Sequence, residues 1–115
     1  MESVLYTRSM DFAIEIIELT KRLRAEKEYI ISSQLGRSGT SIGANIREAN
    51  YAQSRSDFVS KMQIALKEAA ETGYWLELLY RTNYISSQEF ERMKLSCTAL
   101  IKLLTASIRT AKQNS

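Results

Sequence analysis

Apolar side chains recur along this chain at three- and four-residue steps, and that rhythm runs almost from end to end. Leu5, Phe12, Ile16, Leu19 and Leu23 are spaced by 7, 4, 3 and 4, which stacks them on one helical face, with Ala13 and Ile17 widening it. Asp11, Glu15, Glu18, Lys21 and Arg22 occupy the other side, and residues 24–28 (Arg-Ala-Glu-Lys-Glu) read as a charged turn. A second segment, 29–53, repeats the rhythm through Ile31, Leu35, Ile42, Ile46 and Ala49. It includes Gly36, Gly39 and Gly43, and a helix interior pays about 0.8–1 kcal/mol for each glycine relative to alanine. A loop or two short helices would also suit that composition. One helix, bent near Gly39 if anywhere, is favoured because the apolar phase is kept across the glycines.

Two start signals follow. Ser54 and Asp57 have the spacing of a capping box ahead of Phe58, Met62, Ala65, Leu66, Ala69, Leu76, Leu79 and Tyr80. After the short turn Thr82-Asn83-Tyr84, Ser86 fits an N-cap, Glu89 the third helical position, and Ile85 with Phe90 a hydrophobic staple. That last helix continues through Met93, Cys97, Leu100, Leu104, Ile108 and Ala111 and is expected to fray from Lys112 onward. Four helices of about 20–28 residues would each be about 30–42 Å long, and short turns make neighbours antiparallel. The pattern therefore predicts an all-α fold: a single domain over 1–115, an antiparallel up-down-up-down four-helix bundle.

Composition narrows the chemistry. There is no proline to stop a helix and no histidine, which removes His-based triads, His metal ligands and the usual proton shuttle near neutral pH. No reaction is identified, and a non-enzymatic binding or assembly role without cofactor or metal is expected. The lone Cys97 and the lack of a signal-like segment point to a reducing cytoplasm, and no stretch is long and apolar enough for a membrane span. Cys97, in phase with the apolar stripe, reads as a small core residue.

Charge is uneven. The net is +3, yet residues 92–115 hold five cations and no acid, leaving a net −2 for everything before them. At 100° per residue, Lys94, Lys102, Arg109 and Lys112 share an arc of about 80° beside the apolar stripe. Such a row could follow a phosphate backbone, although cations near a helix C-terminus also favour its dipole and keep a surface wet. Arg37, Arg47, Arg55 and Lys61 interleave with Glu48 and Asp57 and read first as ion-paired, with Arg47 and Arg55 as secondary nucleic-acid candidates. Glu68 and Glu71 lack the Glu-x-x-His partner of di-iron bundles and read as surface charges.

The 36–43 stretch is not a phosphate loop, since the Gly-Lys-Ser/Thr element is missing; Gly36, Gly39, Gly43 and Ala44 instead remove bulk so that a neighbouring helix can approach. Tyr74, Trp75 and Leu78 form a second apolar group displaced from the main stripe of their helix, and mark a candidate oligomer interface.

The run Gln34-Leu35-Gly36-Arg37-Ser38-Gly39-Thr40-Ser41-Ile42-Gly43-Ala44-Asn45-Ile46-Arg47-Glu48-Ala49 is distinctive, together with Asp57-Phe58, Lys61, Ile64-Ala65-Leu66-Lys67-Glu68-Ala69 and Tyr74-Trp75-Leu76. It resembles the four-helix-bundle proteins encoded in intervening sequences of bacterial 23S ribosomal RNA genes. The resemblance implies an antiparallel four-helix protomer that commonly assembles as a ring-like homopentamer. It also implies kinship with the accessory protein of diversity-generating retroelements, a basic pentamer that binds nucleic acid and a reverse transcriptase. The expectation is a self-associating, non-enzymatic bundle that binds RNA or DNA, with a reverse-transcriptase-like or other protein as a further partner. The alternative is a protein–protein adaptor or structural assembly protein with no nucleic-acid role.

Overall fold

The computed structural model describes residues 3–114, and these form four α-helices: α1 (Val4–Ala25), α2 (Ile30–Ala49), α3 (Arg55–Arg81) and α4 (Ser87–Gln113). Each helix packs on its chain neighbours, and α1 also meets α4, closing an up-down-up-down square whose diagonal helices, α1 with α3 and α2 with α4, make no close backbone approach. The rod-shaped bundle measures 47 × 22 × 20 Å.

The apolar stripes meet along the axis of this rod. Phe12, Ile16, Leu19 and Leu23 of α1 are buried against Leu35, Ile42 and Ile46 of α2, Met62, Ala65, Ala69, Leu76 and Leu79 of α3, and Met93, Cys97, Leu100 and Leu104 of α4 in one core. Ile17 does not belong to it. At 41% exposed it lies on the outer flank of α1, because a helix with two flanking neighbours needs a stripe no wider than its inward half.

Hydroxyl groups inside the bundle bond to their own helix. Ser9 donates to the Tyr6 carbonyl at 2.7 Å, and Thr72 donates to the Glu68 carbonyl at 2.8 Å. The Thr72 and Ser38 hydroxyls also share a hydrogen bond across the α2–α3 seam at 2.9 Å, and because the single Thr72 proton goes to Glu68, Ser38 is the donor. Among the described residues, no buried side-chain nitrogen or oxygen lacks a partner, so these groups cost little to bury.

α2 is one unbroken helix through all three of its glycines, and it ends at Ala49 rather than 53. The glycines face α1. A Cβ on Gly39 would stand 2.9 Å from two Ile16 carbons, and one on Gly43 would stand 3.1 Å from Ser9 Oγ. Close helix approach offsets the poor intrinsic propensity. Ala44, grouped with these glycines on sequence, is instead exposed: it falls on the outward side of the turn.

The connections are built on caps. The charged turn is shorter than residues 24–28. α1 runs to Ala25, Lys27 adopts the left-handed conformation (φ 67°), and the Glu28 amide closes onto the Leu23 carbonyl at 2.9 Å. Glu28 is buried, and its carboxylate accepts from the amides of Ile31 (3.1 Å) and Ser32 (2.8 Å), capping α2 in place of a serine. Asn83 (φ 69°) ends α3 in the same way, the Tyr84 amide reaching the Leu79 carbonyl.

Ser54 accepts from the Asp57 amide and Ser86 from the Glu89 amide, as the capping signals foretold, and Ile85 and Phe90 are both buried. The Glu89 side chain goes elsewhere, to Arg22 of α1 at 2.5 Å. α4 stays helical through Gln113 instead of fraying at Lys112; Ser115 lies outside the described residues.

Candidate nucleic-acid interface

The cations that the sequence singled out are dispersed by the fold into three places. Lys102, Arg109 and Lys112 share the exposed side of the C-terminal half of α4. Lys102 and Arg109 are seven residues apart, which is about 10 Å along the helix. No carboxylate in the described residues pairs with either of these two.

Because α3 and α4 are antiparallel neighbours, the start of α3 lies beside the end of α4. Arg55, the first residue of α3, donates to the carbonyl of Asn114, the C-cap of α4. Arg55 and Lys112 line one open cleft of about 570 Å³ together with Ser56, Val59, Ser60 and Gln63. Every polar side chain on that lining can donate a hydrogen bond, and none is a carboxylate. Asp57, the acid in the first turn of α3, acts on Lys61, which is itself paired with Glu48 of α2 at 3.0 Å. Among the described residues, the cleft between the start of α3 and the end of α4 is lined by two cations and no carboxylate.

Lys94 stands apart. It is 18 residues from Lys112, about 27 Å along the helix. Its ammonium lies 5.6 Å from the Phe90 ring, which stacks on Tyr80 of α3 at 4.8 Å. Around it the surface changes character, since Glu91 and the 73%-exposed Leu95 share its shallow pocket. Arg47 lies on another side altogether, its guanidinium 5.3 Å from the Tyr6 ring of α1. α2 and α4 are diagonal, so Arg47 cannot join the α4 row.

Of the residues read as ion-paired, Arg37 and Lys61 are. Arg37 reaches Glu68 at 3.2 Å and also Glu71, clasping α2 to α3. The Trp75 indole N–H donates to Glu71 at 2.9 Å, and this bond, with Arg37, holds the Glu71 carboxyl below the usual carboxylate range. Arg47 and Arg55 are exceptions, one over an aromatic ring and the other on a backbone carbonyl. Cys97 is buried and donates to the Ala69 carbonyl at 3.2 Å; burial pushes its thiol up to about 11, so it is an inert core group at neutral pH.

Tyr74, Trp75 and Leu78 are split by the fold. Trp75 is half-buried against its own core, and Tyr74 meets it edge-on at 4.9 Å while remaining 61% exposed. Tyr74 and Leu78 open onto a shallow depression with Glu77 and Arg81. The outward residues Ser56, Ser60 and Gln63 were missed on sequence, since neutral residues carry no charge signal and only helix adjacency brings them to Lys112. Among the described residues, no helix is long and apolar enough to cross a membrane.

A family model described as 23S rRNA-intervening sequence protein matches residues 1–106. Among solved structures, the chain is similar to a protein with unknown function from the S23 ribosomal protein family of Bacteroides thetaiotaomicron VPI-5482. Identity is 53%, with 91% of this chain and 98% of that one covered and a TM-score of 0.90. No curated protein matches.

Proposed function

The chain belongs to the 23S rRNA-intervening sequence protein family, and from that premise we propose that it is a non-enzymatic, self-associating helical bundle that binds RNA or DNA through the α3–α4 basic face. The observation that carries this reading is the convergence of Arg55 with Lys112 in one cleft whose described lining holds no carboxylate, continued along α4 by Arg109 and Lys102. The bound chemistry is the phosphate backbone. Lysine and arginine neutralise it, while Ser56, Ser60 and Gln63 can donate to its oxygens without reading a base. Lys94 extends the row at its far end, and Arg47 contributes only if the ligand wraps to the α1–α2 side.

Four or five cations on one protomer make a weak site. Repetition in a homo-oligomer, a pentamer by the family resemblance, would join such sites through multivalency. Titration of a labelled single-stranded RNA and a DNA duplex at several salt concentrations tests the reading. Binding should weaken linearly on a log–log plot, and changing Lys102, Arg109 and Lys112 to Gln should reduce the slope by about 2–3. No retention of either probe at low salt overturns it. The adaptor reading keeps one specific support, the exposed Tyr74–Leu78 surface; a protein partner retained after nuclease treatment, with no binding of either probe, would favour it.

A further inference from the structure

Three of the six tyrosines have ring partners within the chain: Tyr6 lies under Arg47, Tyr74 against Trp75 and Tyr80 on Phe90. Among the described residues, Tyr51 has no such partner, and at 80% exposed it stands in water. Its backbone is ordered all the same. The amides of Asn50, Tyr51 and Ala52 bond the carbonyls of Arg47, Glu48 and Ala49 in succession at 3.0–3.1 Å, so α2 leaves through a tightened last turn that carries Tyr51. Turns ordinarily use small polar residues, which satisfy their own backbone at no apolar cost. Here a large ring is held on a fixed backbone and left uncovered.

Charge decides what such a ring suits. Tyr51 shares its end of the bundle with the start of α3 and the end of α4. Arg55 follows four residues later, at most about 14 Å away along the chain. It bonds the Asn114 carbonyl and lines a carboxylate-free cleft with Lys112, and Arg109 lies one turn before Lys112. The acids closest to Tyr51 in sequence, Glu48 and Asp57, both act on Lys61. The opposite end of the bundle provides the contrast. Tyr29 is 54% exposed there, but Glu26 and Glu28 flank Lys27, while Glu77 and Glu89 hold Arg81 and Arg22. A polyanion is favoured at the Tyr51 end and not at the Tyr29 end.

Building on the nucleic-acid reading above, we propose that Tyr51 is a stacking platform for an unpaired base, so that the ligand of the Arg55–Lys112 cleft is a single strand rather than a duplex. In a duplex each base face is covered by its neighbours. A single strand can lay one face on the tyrosine while its phosphates run past Arg55, Lys112 and Arg109. Every base has such a face, so stacking adds affinity without selecting sequence. That matches a cleft whose Ser56, Ser60 and Gln63 address phosphate oxygens.

Titration of the full chain with labelled probes of equal length tests it: a single strand, the same strand carrying abasic sites, and a duplex. The intact single strand should bind most tightly. Tyr51→Ala should weaken that binding about tenfold, Tyr51→Trp should preserve it, and Tyr29→Ala should leave it unchanged. The ring carries no charge, so Tyr51→Ala should keep the salt slope of the parent chain, unlike the cation changes above. The abasic strand should bind the parent chain and Tyr51→Ala alike. A duplex that outcompetes the single strand, an unchanged single-strand affinity in Tyr51→Ala, or an equal loss with the abasic strand overturns the stacking platform and leaves salt-dependent backbone binding standing. Failure of every probe to bind at low salt overturns both.

Discussion

Two seams hold α1 in place, and they are made by different means. Against α2 the contact is steric: Gly36, Gly39 and Gly43 strip away side chains, and Thr20, Ile16 and Ser9 fill the space. Against α4 the approach is looser and the ties are ionic, Arg92 to Glu15 at 2.7 Å and Arg22 to Glu89 at 2.5 Å, beside a cleft of about 220 Å³ lined by Phe12, Ala99 and polar neighbours. Dispersion and exclusion of water reward close packing at every atom, whereas an exposed ion pair gains little over its hydrated partners. The bundle should therefore tolerate damage at the α1–α4 seam and fail at the α1–α2 seam.

The strongest way to break this contrast is Gly39→Leu. Its Cβ alone would collide with Ile16, so the substitution should cost about 3 kcal/mol or more, read as a lower midpoint in urea unfolding. Gly73 supplies the control. A Cβ there meets nothing within 4 Å, so Gly73→Ala should stabilise the fold by about 1 kcal/mol through helix propensity alone. If both glycines respond alike, close approach is not the reason for the α2 glycines.

Arg92→Ala probes the ionic seam. Arg92 and Glu15 are both partly solvated, so the loss should be at most about 1 kcal/mol in low salt and should shrink as salt is added. A loss as large as that of Gly39→Leu would erase the distinction between the seams.

The smallest effect concerns the α2–α3 clasp. Glu71 has a depressed carboxyl pKa in the folded chain, so its contribution is present above the unfolded carboxylate range and disappears as pH falls through the folded value. Glu71→Gln should thus lower stability at neutral pH and converge with the parent chain in acid, in paired thermal melts across pH. A constant difference at all pH values would mean that the indole and guanidinium bonds do not favour the ionised form.

Much of this architecture was legible beforehand because it depends on local periodicity. The apolar steps of α1, α3 and α4, the caps at Ser54 and Ser86, and the continuity of α2 across its glycines are all properties of residues within a few turns of each other. The misreadings share one cause. Ile17 and Ala44 were placed by residue type, yet exposure depends on how far around a helix its neighbours extend. Glu28 was legible only as part of a charged turn, and only the folded turn shows its carboxylate accepting from two first-turn amides of α2. The candidate site was half visible. The α4 cations follow from spacing, but Arg55 sits 59 residues from Asn114, and nothing local tells that they touch.

The sequence by itself determined that this chain makes four helices and which stripe of each turns inward, because helix formation and amphipathic burial depend on composition at three- and four-residue steps. Tertiary structure decided which charges stand together and which apolar groups stay outside. Those outcomes depend on which helices become neighbours, in which direction and at what height, and close packing around the glycines of α2 sets that alignment.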